Sequence, residues 1–314
     1  MKVLVIQQRY GIGDMLIFLP YLRAIAQKNS VKISLLAKKT SKSSELFKEE
    51  NFLDEIINLD STNDGISGFF KLSKEIKRRK FDKVYIFNGS IRYKLLAIFA
   101  GIKGIYQYPL FTSKDIIFQT AKVFTETHVG KVLSTEPHLS IKENDVIKAK
   151  KYCNIDEQTK NIILGVSASG STKRWDVENF IKLAVELKRF KNCKFFIAAG
   201  QKDFKIIDKI KNSEISSDCV SLDHLTIAKI LPIIKNCNLC VSCDTSFMHI
   251  GAALGIRTIG IFTDSPAYAY SGYSKNIYPI VPEGETVEST THDTLGKDNI
   301  SFEKVLKKAK SFLV

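Results

Sequence analysis

The opening stretch MKVLVIQQRYGIGDMLIFLPYLRAIAQK, residues 1–28, decides the fold class. Residues 2–7 form a short aliphatic and β-branched run, Gly11 and Gly13 frame a turn, and residues 15–28 carry the apolar spacing of a helix. Strand, glycine turn and helix in this order open a βαβ series with a parallel sheet. The alternation continues with strands at 31–37, 55–59 and 83–87 and helices at 43–50 and 67–79. Beyond Tyr108 the pattern weakens, with a helix predicted over 114–127 and a polar stretch at 130–137.

A second series begins with a strand at 162–166, a loop of small residues and a helix at 177–188. Further strands are predicted at 194–199, 219–221, 239–242 and 258–262, and the amphipathic segment 301–313 closes the chain. A length of 314 residues suits two domains. The expected division is 1–155 and 156–314, with the last helix (about 301–314) offered to the junction. The expected fold is α/β, two Rossmann-like domains facing across a cleft, with ligands held by the loops that follow the strands.

Hydrophobic residues make up 44% and charged residues 25%, as in an ordinary folded enzyme. The apolar run near the start is too short for a signal-peptide core, and no stretch reaches the roughly 18 apolar residues of a spanning helix. A cytoplasmic location is therefore expected, and the six cysteines are expected as reduced thiols. A net charge of +14 implies an anionic partner: a nucleotide, or the inner face of the membrane with its acidic lipids. No basic stretch is interleaved with aromatics, so nucleic acid is not expected.

Three segments carry the chemistry. Gly11-Ile12-Gly13-Asp14 follows the first strand and opens a helix, where glycines allow close approach of a ligand. The third glycine of a dinucleotide fingerprint is missing. Asp14 is either a working acid or a residue that stabilises a helix start. Gly165 to Trp175 is a strand end followed by hydroxyl-bearing small residues and the cations Lys173 and Arg174, suited to a diphosphate but without Walker spacing. Cys243 to Gly255 places Asp244, Thr245 and Ser246 at a helix start, where the two hydroxyls are expected as caps, with His249 one turn further on. The alanines and glycine of that helix predict a close seat on the sheet. Cys237, Cys240 and Cys243 are spaced by three, which in a strand sends side chains to opposite faces, so they read as buried small hydrophobes.

In this order and spacing the three segments resemble the heptosyltransferases of glycosyltransferase family nine, over nearly the whole chain. Residues 81–90 also look like that family's strand and acceptor-side loop, with Asn88 and Ser90 at its end. The resemblance implies a GT-B architecture, with the acceptor on the N-terminal domain and the nucleotide sugar on the C-terminal one. It implies an inverting transfer with no metal and no cofactor. The donor would be ADP-heptose and the acceptor a lipopolysaccharide core or similar glycolipid, reached by peripheral contact with the inner membrane.

Matched residue by residue, Asp14 looks like the catalytic base, Lys173 like a diphosphate contact and Asp244 like a contact to the donor sugar. Thr245, Ser246 and His249 would line the phosphate end, joined by Ser169 and Thr172, while Asp203 and Leu225 would serve the ribose and base pockets. Two departures stand out: Ser246 replaces the glycine after Asp-Thr, and Asp176 replaces the proline after Lys-x-Trp. Two alternatives stay open. One is a transferase of the same fold using another nucleotide sugar for a capsule or other surface polymer, and the other is a non-catalytic nucleotide-sugar-binding protein.

Overall fold

The computed structural model describes residues 1–110, 116–132 and 134–314. The chain divides into two compact units, Met1–Pro137 and His138–Val314. In the first, the elements are β1 (Val3–Gln7), α1 (Ile12–Asn29), β2 (Ile33–Lys38), α2 (Ser43–Leu46), β3 (Leu53–Leu59), α3 (Gly65–Arg79), β4 (Lys83–Ile86), α4 (Ile91–Phe99), β5 (Gly104–Gln107) and α5 (Ile117–Val129). The second continues with α6 (Glu143–Tyr152), β6 (Lys160–Gly165), α7 (Val177–Phe190), β7 (Cys193–Ala198), α8 (Phe204–Lys211), β8 (Cys219–Ser221), α9 (Ile227–Lys235) and β9 (Leu239–Cys243). It ends with α10 (Ser246–Ala253), β10 (Arg257–Ile261), α11 (Ala267–Ser271), β11 (Ile277–Ile280) and α12 (Phe302–Leu313).

The first sheet is wholly parallel in the order β3-β2-β1-β4-β5. β1 lies at its centre and every one of its residues is buried, which explains its uninterrupted apolar run. Leu4 and Ile6 pack with Leu72 and Ile76 of α3 and Leu96 and Ala97 of α4. The strand's alternation turns Val3 and Val5 to the opposite side of the sheet. α1 is buried along most of its length and packs against α5, where the Tyr21 hydroxyl donates to the Phe118 carbonyl at 2.8 Å.

The second sheet is also parallel, in the order β11-β10-β9-β6-β7-β8. Its main core joins Ile162 and Leu164 of β6 and Val241 of β9 to Phe180 and Leu183 of α7 and Val305 and Ala309 of α12. On the other face α10 lies against the sheet, as its small residues predict. A Cβ on Gly251 would stand 2.8 Å from Thr258 Oγ1 and 3.1 Å from Cys240 Cβ, too close for any larger residue.

Two predicted helices shift. The helix over 43–50 shortens to α2: Lys42 enters it with a left-handed φ of 53°, and the chain leaves it at Phe47. Glu50 then turns inward, where its carboxylate takes Arg23 Nη2 at 2.7 and 2.9 Å. The helix over 114–127 runs from Ile117 to Val129, while Lys114 and Asp115 lie outside the described residues.

The units divide well before the expected 155/156. α6 packs on α9, the Leu139 amide donates to the Ala253 carbonyl at 2.8 Å, and Lys194 Nζ donates to the Cys153 carbonyl at 2.6 Å. These contacts place the whole segment from His138 in the second unit. The closing helix, offered to the junction by its amphipathic pattern, spends its apolar face on α7, β9 and β10 of its own unit.

Candidate active site

In a parallel sheet whose connections leave in both directions, ligands gather at the carboxyl ends of the two strands where the order reverses. In the first unit those strands are β1 and β4. The loop after β1 carries Gly11, Gly13 and Asp14, and the loop after β4 carries Asn88 and Ser90. Both predicted groups of the N-terminal half therefore flank one switch point.

Asp14 sits in the first turn of α1, and its Oδ1 accepts from Arg9 Nη1 at 3.2 Å. A Cβ on Gly11 would stand 3.0 Å from Asp14 Oδ2, so the glycine keeps that oxygen uncrowded. Gln7, buried at the end of β1, accepts the Arg9 amide on Oε1 at 2.7 Å, while its Nε2 is buried without a partner. Asn88 and Ser90 shape their own loop. Asn88 Oδ1 accepts the Ser90 amide at 2.7 Å, and Ser90 Oγ caps α4 by accepting the Arg92 amide at 3.3 Å.

In the second unit the reversal falls between β6 and β9. The loop after β6 carries exposed Ser169 and Thr172 and half-buried Lys173, and the loop after β9 carries half-buried Asp244, Thr245 and Ser246. Asp203 and Leu225 follow β7 and β8 on the same carboxyl edge. The Asp203 carboxylate is engaged by Arg174 Nη2 at 3.1 Å and by the Gly200 amide at 3.3 Å. Arg174 thus ties the loop after β6 to the turn after β7, and Leu225 is half-buried in the turn that leads to α9.

The expected cap of α10 is not made by its threonine. Thr245 is the N-cap residue without a side-chain cap bond, because its Oγ1 lies 3.2 Å from Ser242 Oγ instead. His249 is buried, with Nδ1 2.6 Å from the Tyr273 hydroxyl and Nε2 3.8 Å from Asp244 Oδ1. Burial lowers its pKa from 6.5 to about 3, so the imidazole is neutral and its approach to Asp244 is not an ion pair. The tautomer with Nε2–H toward the carboxylate and the tyrosine hydroxyl donating to Nδ1 matches both neighbours.

Unfolding exposes this histidine and restores its ordinary pKa near 6.5, so the unfolded state takes up a proton that the native state refuses. As pH falls from about 6.5 toward 3, His249 should therefore remove stability, at up to about 1.4 kcal/mol per pH unit. Melting curves across this window should fall less steeply for His249→Asn than for wild type. Equal slopes would mean that the buried imidazole protonates in the folded protein.

Several participants escape a reading by motif. Lys173 Nζ lies 3.4 Å from His292 Nδ1, across 119 residues of sequence. The Thr263 hydroxyl donates to the Thr172 carbonyl at 2.7 Å. Beside it Asp264 is buried, which alone would raise its carboxyl. Hydrogen bonds from Thr172 and from the Leu295 amide, with Lys173 and His292 close by, hold it below the usual carboxylate range instead. An acid directly after a predicted strand was a visible signal for Asp264. Nothing local marked His292 or Tyr273.

Trp175 is a packing residue: it is 1% exposed and meets the rings of Phe180 and Phe302. Cys237, Cys240 and Cys243 are buried and free. Cys243 faces the core shared with α7, while Cys240 faces α10.

Residues 112–297 match the family described as glycosyltransferase family 9 (heptosyltransferase). No curated protein matches the chain in sequence. Among solved structures, the chain is similar to the ADP-heptose lipopolysaccharide heptosyltransferase II of E. coli, at 19% identity and a TM-score of 0.77, covering 100% of this chain and 98% of that one. A family 9 glycosyl transferase from Veillonella parvula gives 17% identity and a TM-score of 0.82, with 99% and 97% covered. The E. coli heptosyltransferase WaaC, solved with ADP, gives 12% and 0.72, with 99% and 100% covered. With two parallel Rossmann-like sheets of the GT-B class and more than half its length matched, the chain belongs to glycosyltransferase family 9, the heptosyltransferase family, and is a glycosyltransferase.

Proposed function

We propose that this glycosyltransferase moves a heptose from ADP-heptose onto a lipopolysaccharide core or a related surface glycan, with inversion and without a metal ion. The observation that carries the proposal is the placement of Asp14 at one switch point and of Lys173, Asp244 and the start of α10 at the other. One supplies a base and the other a cradle for a diphosphate. The relatives favour the donor: one acts on ADP-heptose and another was solved with ADP.

In this mechanism the acceptor is held by the first unit and the nucleotide sugar by the second. Asp14 takes the proton of the acceptor hydroxyl as its oxygen bonds to the anomeric carbon. The diphosphate leaves from the opposite face, which inverts that carbon. Charge gathering on the leaving group is met by Lys173 and by the positive end of α10, with the hydroxyls of Ser169, Thr172, Thr245 and Ser246 as further donors. Asp244 contacts the sugar, beside a neutral His249 that is held by Tyr273.

The direct test is mass spectrometry of a delipidated lipopolysaccharide core after incubation with the protein and a panel of nucleotide sugars. An increment of one heptose from ADP-heptose is the expected result, and none from any ADP-heptose reaction would overturn it. Ser246, standing where the family has glycine, adds a side chain at the phosphate end. It favours including other nucleotide sugars in the panel.

Among the described residues no group of three or more His, Cys, Asp or Glu side chains is arranged to hold a metal ion. Activity is therefore expected to survive exhaustive treatment with EDTA. Loss with chelator and recovery with a divalent cation would contradict the metal-free mechanism.

A further inference from the structure

α3 and α4 pack side by side on the first sheet and bury Leu72, Ile76, Leu96 and Ala97. Their outer side is not the polar surface that water favours. Ile66 is 79% exposed, Ile98 53%, Phe99 54%, Phe70 48% and Leu95 40%. Single exposed apolar side chains are ordinary, but a contiguous set on two adjoining helices marks a surface that meets something apolar. The set is also preorganised: the rings of Phe69, Phe70 and Phe99 meet edge-on with centroids 5.4 to 5.9 Å apart.

The charges around this face select its partner. Lys94 lies on the exposed side of α4, and Lys71, Lys74, Lys77 and Arg78 are exposed along α3. The one carboxylate within the two helices, Glu75, is paired with Arg79 at 3.2 Å. Protein interfaces are depleted of lysine at their centres, whereas an apolar face framed by lysines suits an anionic bilayer, with the rings in the acyl boundary and the ammonium groups at the phosphates.

Position gives the face a use. α3 and α4 begin just beyond the carboxyl ends of β3 and β4, so Ile66 and the start of α4 adjoin the edge that carries Asn88, Ser90 and Asp14. We propose that the α3–α4 face seats the first unit on an anionic lipid bilayer. A lipid-anchored acceptor then arrives at the loop after β4 by lateral diffusion. This last consequence rests on the glycolipid acceptor proposed above; the seating itself does not.

The test is cosedimentation of the full chain with vesicles of phosphatidylethanolamine and phosphatidylglycerol, against vesicles of phosphatidylcholine alone. Wild type should bind the anionic vesicles at least about tenfold more tightly, and added salt should weaken the difference. The triple variant Ile66→Gln, Leu95→Gln, Ile98→Gln should lose about tenfold or more in vesicle binding, since each changed side chain leaves an apolar boundary. Replacing Lys74, Lys77 and Lys94 by glutamine should cost about fivefold per lysine. If the triple variant melts early, the lysine variant decides.

Transfer to a delipidated, water-soluble acceptor should be unchanged in both variants. Absence of that transfer in wild type would defeat the functional proposal while leaving the vesicle result readable. Equal binding to neutral and anionic vesicles, no binding to either, or wild-type binding by both variants would overturn the seating. So would a wild-type dimer in light scattering that the triple variant turns into a monomer without any vesicle binding, for the face would then join two copies.

Discussion

Asp14→Asn is expected to lower turnover by about 10²- to 10⁴-fold, the usual contribution of a positioned general base, while donor affinity stays nearly unchanged. Asparagine keeps the size of the side chain in the first turn of α1 but cannot accept the acceptor's proton. It also gives up the charge that Arg9 Nη1 meets at 3.2 Å, so the arginine is left to solvent rather than buried unpaired, with its side chain 44% exposed. Stability should therefore change little. Titration with ADP reads the donor site proposed for the other unit, and rates at saturating donor read the chemistry. Turnover within a few-fold of wild type would remove Asp14 from the mechanism. A loss of ADP affinity that matches the loss of rate would give it a binding role instead.

Lys173→Ala should lower catalytic efficiency by roughly ten- to a few hundred-fold, the equivalent of one charge-assisted hydrogen bond of about 1.5 to 3 kcal/mol. Both affinity and turnover should fall, because in the proposed mechanism the ammonium group meets the diphosphate before and during its departure. Lys173 is half-buried with Nζ near His292, outside the packed core around Trp175, so the variant should melt with wild type. Unchanged affinity for ADP together with normal transfer would reduce Lys173 to a surface charge. The phosphate site would then rest on the start of α10 and its neighbouring hydroxyls.

Much of the architecture was legible because a central parallel strand must be apolar on both faces and its following loop must be small. β1 and the glycine turn after it met both conditions, as did β6 and β9 with the loops behind them. Of the helices that were overlooked, α9 is only nine residues long and carries Pro232 inside it, and α4 is rich in apolar residues without a clear polar face. In α4 the reason is now visible, since its outer side is apolar as well. The boundary between units was placed too late because the allegiance of α6 depends on α9, a contact between segments far apart in sequence.

At the candidate site the same distinction holds. Asp244 stands directly behind a strand, and Asp14 and Lys173 close the glycine-rich and small-residue loops that follow two others, where the chain's alternation announces a ligand edge. Asp203 follows a strand too, yet its carboxylate is taken by Arg174, which spacing alone could not reveal. His292 belongs to a loop with no periodicity and reaches Lys173 only through the path of the chain after β11. Tyr273 is likewise defined by what it touches: its value lies in fixing the buried His249.

The chain's one tryptophan lies wholly inside the second unit, wedged between Phe180 and Phe302, and its backbone amide donates to Cys243 Sγ at 3.4 Å, next to Asp244. The chain thus carries a single indole, at the root of the two loops proposed to hold the donor, and none in the first unit. Its emission is an optical channel for one half of the molecule only, blind to the other. Spectra that average over the whole backbone, compared with that channel, can separate the melting of one unit from that of its neighbour without any label being attached.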